Sequence, residues 1–300
     1  MKRPNPLFRN INSKLAALPM MIIVLVVFIG GTFWTVASSF TDIKTLPIFT
    51  PSEFYHAFIG FGQYHRLWAT PRWITSITNL AIYGSLYTIF AFVIGFLLAV
   101  FMDQKIRAEG VFRTIYLYPF ALSLIVTGHV WAWIMNPAFG LEATMRGLGW
   151  ESFSFDWLTN RDMSIYAVVI AALWQGTGLV MALMLAGLRS IDDDIWRAAR
   201  VDGIPKWRTY LQVVIPMMRP VLITTMVIVA SGAVRVFDLV VALTQGGPGL
   251  SSQVPSMYIY EKLFVGALAQ GTAASSILLL ATAVILIPWV MVEFGKKRRN

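Results

Sequence analysis

Arg235 and Asp238 stand three residues apart in a stretch otherwise rich in Val, Ala, Ile and Leu. If that stretch is one helix, the two side chains share a face and can pair. Charges inside a bilayer are costly and usually face a bundle interior or an aqueous path. The pair therefore reads either as a packing device or as the lining or gate of such a path. Gln245-Gly246-Gly247-Pro248 follows. Its glycines supply unusual backbone angles and its proline removes a donor, so the helix must break there, leaving a loop able to bend into the path. His129 reads as an interhelical hydrogen-bonder or a ligand, and Trp131, Trp174 and Gln175 as packing or path-lining groups.

Other chemistries are missing from the chain. It has no G-x-x-x-x-G-K-[ST] phosphate loop, no H-E-x-x-H and no G-x-S-x-G elbow. Its three histidines, His56, His65 and His129, are scattered, and it has no cysteine. Disulfide, thiol and Cys-based metal chemistry are thereby excluded. No nucleotide, metal or other cofactor site is expected in this chain.

The elements that position these residues follow from composition. Of 300 residues 57% are hydrophobic and 13% charged, against about 25% charged in soluble domains. Apolar runs recur at 16–40, 76–101, 114–135, 163–188, 218–242 and 269–293. Each is long enough to cross a hydrocarbon core of about 30 Å, so the class is all-α integral membrane with six transmembrane helices. The continuous runs lack the alternation of a membrane β-barrel. The first run exceeds the length of a signal-peptide core and no cleavage site follows it, which favours an uncleaved anchor. One transmembrane domain, 16–293, is expected between a basic N-terminus, 1–15, and a basic tail, 294–300.

The net charge of +9 is explained by orientation. Lys2, Arg3, Arg9 and Lys14 precede the first span, Lys105, Arg107 and Arg113 follow the second, and 189–219 hold six cations. Lys296, Lys297, Arg298 and Arg299 close the chain, while the alternate connections are poor in Lys and Arg. Both termini and the two basic loops are thus expected in the cytoplasm of a bacterial cell with an inner membrane. Nucleic acid is not needed to explain the charge. The 41–75 connection, with Pro47, Pro51 and Pro71 among aromatics, reads as a structured cap at the outer interface.

The loop 189–220 reads "RSIDDDIWRAARVDGIPKWRTYLQVVIPMMRP". Asp192, Asp193 and Asp194 suit a helix N-terminus. The stretch from Ile195 to Val201 forms a short helix that ends at Asp202-Gly203, and Pro205 opens a second one after Ile204. The loop either serves orientation alone or offers, through the small Ala198-Ala199 surface, an approach for another body.

The stretch resembles the loop signature of binding-protein-dependent ABC transporter permeases, E-A-A-x(3)-G with Asp before the Gly. The matches are Ala198, Ala199, Asp202 and Gly203, with Ile215-Pro216 in place of Leu-Pro. Arg197 stands where that family has Glu. Segment 58–67, "FIGFGQYHRL", resembles a sugar-permease stretch with Gln63 where Asn is usual. Segments 131–140, "WAWIMNPAFG", and 236–248, "VFDLVVALTQGGP", resemble others, and "YIYEKLF" and "GALAQGTAASSILL" complete the order. The run through "IDDDIWRAARVDGIPKWRTY" is also similar to permeases associated with α-glucosides.

The resemblance implies the type I ABC importer permease fold with a cytoplasmic coupling helix-turn-helix. Trp196, Arg197, Ala198, Ala199, Asp202, Gly203 and Ile204 would meet a partner ATPase, which carries the ATP and Mg. A second permease subunit and an extracytoplasmic solute-binding protein complete the expected assembly. The function implied is sugar import by alternating access, with no enzyme activity in this chain. An ion-coupled secondary transporter would need mid-membrane carboxylates, of which Asp238 is the one candidate. An integral-membrane enzyme would need clustered acid, base or metal residues.

Overall fold

The computed structural model describes residues 11–44, 51–104 and 106–297. The cations Lys2, Arg3, Arg9 and Lys105, together with Pro47 and the tail from 298 onward, lie outside the described residues. The regular structure of the described residues is helical, apart from one isolated antiparallel bridge between Thr41 and Phe58.

Among the described residues, four stretches are long and apolar enough to span a membrane unaided. They are Ala17–Ser38, Pro71–Asp103, Ser164–Arg189 and Leu268–Met291. The first is built of α1 (Ile11–Ile23), a wider π-helical segment (Val24–Gly30) and α2 (Gly31–Ser38). The expected third and fifth spans are not straight helices. The third is α4 (Glu109–Ala121) followed by α5 (Leu124–Ile134), which meet at 101°. Pro119 sits in the last turn of α4, Leu122 is extended, and the Ser123 hydroxyl accepts from Ile125 N at 3.3 Å to start α5. A proline near an end and a capping serine two residues past that end make a natural break. Around the fifth, Lys206–Met217 and Arg219–Val234 are bent by 74°. With each bent pair counted as one span, the described residues hold up to six.

The described chain divides into two units. One comprises Met1–Ala69 with Ile259–Ile277. In it Phe40 packs against Phe58, Phe61 and Tyr64, and Asp42 binds Arg66 at 2.8 Å. Gln63, standing where the sugar permeases have Asn, is buried and donates to Thr41 O and Asp42 Oδ1 at 3.1 and 2.9 Å. It serves as a structural tie in this unit.

The other unit comprises Thr70–Tyr258 with Leu278–Asn300. Its axis is the pair α3 (Pro71–Asp103) and α6 (Ser164–Arg189). Two buried clusters lie along that pair. One gathers Tyr83, Val168 and Ala172 with Leu239 and Val240; the other gathers Ala91, Val180, Met181, Met184, Leu188 and Met218. Met181 and Met184 belong to the core. Small residues let backbones touch, as is usual between helices that lack a hydrophobic drive to associate. A Cβ at Gly178 would collide with Tyr116 O of α4, and one at Gly128 would lie 2.5 Å from Ala242 Cβ.

Candidate functional site

α6 ends at Arg189 and the chain turns through buried Ile191 to a helix-turn-helix. Asp192 caps the first helix, α7 (Asp193–Val201), by accepting from Asp194 N at 2.9 Å. Asp193 and Asp194 occupy its first turn, where carboxylates meet the positive end of the dipole. Gly203 has φ +69°, the left-handed conformation that stops a helix, and Ile204 N returns to Ala199 O at 3.0 Å. Pro205 then precedes α8 (Lys206–Thr209), which continues into a π segment, Tyr210–Val214. The expected turn at Asp202-Gly203 and the expected second helix are both present.

Packing gives this element one inner and one outer face. Trp196 meets Tyr210 edge-on at 5.3 Å, and both lean on the cluster around Leu188 and Val214. Ala199 is 8% exposed, so it packs inward. The expected paired-alanine approach surface is therefore half as wide: Ala198 alone is exposed, beside Val201 at 87%. Arg197 reaches back one turn to Asp194 at 3.2 Å, with both side chains mostly in solvent. Trp207 is exposed under the Arg208 guanidinium, 5.4 Å from the ring centroid. A cavity of about 570 Å³ lies beneath α7, lined by Asp103, Arg189, Trp196, Arg200, Lys206 and Tyr210 among others.

The candidates for a solute path separate. Between α9 (Arg219–Val234) and α10 (Asp238–Leu243) the helix is interrupted, with Phe237 at φ −146° and ψ −66°. Arg235 and Asp238 consequently do not share a helix face. No ion pair joins them among the described residues; both are exposed, and Arg235 Nε donates to Ser231 O at 3.2 Å. The interruption frees the Val236 carbonyl, and Ser256 Oγ donates to it. His129 is exposed, and its Nδ1 lies 2.8 Å from Ile125 O of the same helix, so it makes no interhelical bond among the described residues.

Gln175 is 6% exposed and donates from Nε2 to Leu122 O at 2.7 Å. That carbonyl lies at the α4–α5 break, so Gln175 Nε2 satisfies backbone there, while its Oε1 is buried with no hydrogen-bond partner among the described residues. Broken helices persist at membrane depth where neighbours re-satisfy the freed groups. Trp174 is 40% exposed and meets Trp131 edge-on at 6.0 Å. This is the one pair of path candidates that the structure brings together.

The Gly246-Gly247-Pro248 loop is held from several sides. Gln245, Gly246 and Gly249 have positive φ, and the Gly247–Pro248 bond is cis. Ser252 Oγ lies 2.7 Å from Thr244 Oγ1 and 2.8 Å from Gly247 O, its one proton shared between the two acceptors. Asn79 Nδ2 donates to Gln253 O and Leu250 O at 2.9 and 3.3 Å, and Arg72 Nε to Gln253 Oε1 at 2.9 Å. Ser164 and Ser251 hydroxyls meet at 2.7 Å. Sequence reasoning passed over Asn79 and Arg72. A lone Asn inside an apolar run was the available signal, because such a group needs a partner.

The model of the family described as "Binding-protein-dependent transport system inner membrane component" matches residues 91–300. A probable ABC transporter permease protein of Pyrococcus horikoshii is 33% identical over 284 residues, covering 94% of this chain and 95% of its own. The trehalose/maltose transport system permease of Thermococcus litoralis is 29% identical over 293 residues, covering 95% and 94%. A bacterial alginate ABC transporter, solved with an alginate pentasaccharide-bound periplasmic protein, shares the fold. Its matching chain aligns with a TM-score of 0.78 at 21% identity over 94% of this chain and 93% of that one. The broken spans and the helix-turn-helix carrying Ala198, Ala199 and Gly203 thus stand in a chain that belongs to the inner membrane components of binding-protein-dependent transport systems, as an ABC importer permease.

Proposed function

We propose that this permease subunit carries a sugar or sugar-like solute inward by alternating access, driven by ATP hydrolysis in a partner. The solute class rests on the names of its relatives, which carry trehalose and maltose in one case and alginate in the other. The chain has no P-loop, so the energy enters through a docked ATPase bearing ATP and Mg. The observation that carries the reading is the outward face of α7. A nine-residue helix ends in Val201 at 87% exposure, and the neighbouring turn presents Trp207 to solvent. A partner that covers this turn would bury Val201 and Trp207 together with Ala198.

In this reading α7 docks in a cleft of a cytoplasmic ATPase dimer, and both chain termini lie on the same side. A second permease subunit, a paralogue distinct from this chain, faces the exposed Arg235, Asp238 and Trp174 across the path, and a solute-binding protein delivers to the opposite side. Closure of the ATPases moves the docked helices and reorients the bundles.

Co-purification of the tagged chain tests the assembly: an ATPase, a second permease and a binding protein are expected with it. Transport by this chain alone in proteoliposomes would instead establish the ion-coupled alternative. For the coupling role, Gly203→Pro forces φ to about −65° where the turn needs a positive value. The variant is expected to insert and to lose transport while the ATPase still hydrolyses ATP. Unchanged transport would remove the role.

A further inference from the structure

α4 is fastened to α6 at both of its ends. At the end near the helix-turn-helix, Arg189 Nη2 binds Glu109 Oε1 at 2.7 Å. At the other end Gln175 holds Leu122 O, and between them Gly178 lets Tyr116 O approach α6 closely. The Arg189 guanidinium does more than close this pair. It stands 3.9 Å from Asp103 at the end of α3, and Nη2 donates to Met102 O at 3.5 Å. One side chain thus ties the last residue of α6 to the end of α3 and the first residue of α4, three residues before the cap of α7.

Several observations argue for a purpose beyond burial of charge. The side chains are partly exposed, at 43% for Arg189, 22% for Asp103 and 32% for Glu109. Isolated pairs at such sites contribute little to stability. A guanidinium can instead hold two carboxylates and a carbonyl in a fixed geometry, which an ammonium cannot. Its position at the C-terminus of α6 also suits the helix dipole.

We propose that Arg189 is the positioning residue that makes α3, α4 and α6 move as one body when the helix-turn-helix is displaced. Motion entering at Asp192 passes through α6 into α4 and reaches the α4–α5 break, where Gln175 holds Leu122. Without the clasp, α7 can shift while α4 stays behind. The proposal rests on the coupling role assigned above to α7.

The test uses the assembled transporter and reads the ATP hydrolysed per solute imported, a ratio that a purely structural residue leaves unchanged. Arg189→Met is expected to raise it roughly fivefold or more, the lower end of coupling between linked sites. Glu109→Gln should raise it less, since the tie to α3 survives, and Arg189→Lys, which keeps the charge but not the forked geometry, should recover only part of the loss. An assembled Arg189→Met transporter with the wild-type ratio would overturn the proposal. Should that variant fail to assemble, a wild-type ratio in Glu109→Gln does the same. Gly203→Pro measured alongside separates the two ideas. If it uncouples and Arg189→Met does not, the clasp alone is wrong; if neither does, the coupling role of α7 is wrong.

Discussion

The 244–254 loop and the 192–209 turn are both built on glycines with positive φ, yet they spend their polar and apolar groups in opposite directions. In the first, Thr244, Ser251, Ser252 and Gln253 bond inward, to each other and to Asn79, Arg72 and Ser164. Ser252, Gln253 and Val254 are buried as a run. In the second, Trp196 and Ala199 anchor one face while Ala198, Val201 and Trp207 stand in solvent. A loop whose groups are satisfied within the chain is scaffold. One that leaves apolar tips exposed is stable without them and available to a partner. Damage to the first should therefore lower the stability of the permease itself, and damage to the second should lower transport by a permease that still folds.

The largest loss is expected at Gly246, where φ is +80° and a Cβ would meet Met257 Sδ at 2.8 Å. Gly246→Val combines backbone strain with overpacking and should cost about 3 kcal/mol. Denaturant unfolding of the purified chain in detergent measures it; an unchanged midpoint would dissolve the contrast between the loops. Next is Asn79→Leu, which strips the buried carbonyl of Gln253 of its donor. Leaving such a group unsatisfied costs about 2 kcal/mol. The same unfolding assay reads this loss, and the ATP-to-solute ratio of the molecules that do fold should stay at the wild-type value.

Effects on stability shrink in the 192–209 turn. Asp192→Ala removes the cap of α7 and should cost about 1 kcal/mol, confined to that helix. Amide hydrogen exchange checks the confinement: faster exchange is expected at Asp194 and Ile195, with α3 and α6 unchanged. Spread of the effect into α6 would mean that α7 is part of the scaffold after all.

The same contrast explains what could be read from sequence. The 192–209 turn is local: cap, small residues, Asp-Gly and Pro lie within a short segment, so its helices and its stop were legible. The inward turn of Ala199 was not, because it depends on Tyr210 and the α6 core. Straight spans were legible from apolar length. Their breaks were not, although Pro119 and Ser123 carried the signal at one of them. Pro216 and Pro220 likewise flank the bend at Met218, whereas at the third break only polar residues flanking Val236-Phe237 hinted that the helix stops. The ties made by Gln175, Asn79 and Arg189 were not legible because their partners lie 53, 174 and 80 residues away.

The smallest effect on the chain, and the sharpest test of the outward face, belongs to Arg197→Glu. This substitution installs the acid that the related loop signature carries at this position. Arg197 and Asp194 are 67% and 79% exposed, so losing their 3.2 Å pair should change stability by less than about 0.5 kcal/mol. Against a partner the outcome differs, since docking removes water and magnifies each charge. In the free chain the pair neutralises its own face. An ATPase cleft shaped to this chain must then accept Arg197 with its charge, and the new carboxylate would stand beside Asp194 as an uncompensated second acid. Co-purification of the ATPase at low salt should therefore be weaker for Arg197→Glu than for wild type while the unfolding midpoint holds. Charge repulsion at low salt should weaken as salt screens it, so the deficit ought to narrow as ionic strength climbs. A variant that binds its ATPase more tightly than wild type would show instead that the cleft offers a cation, and that Arg197 is tolerated there through its pairing with Asp194.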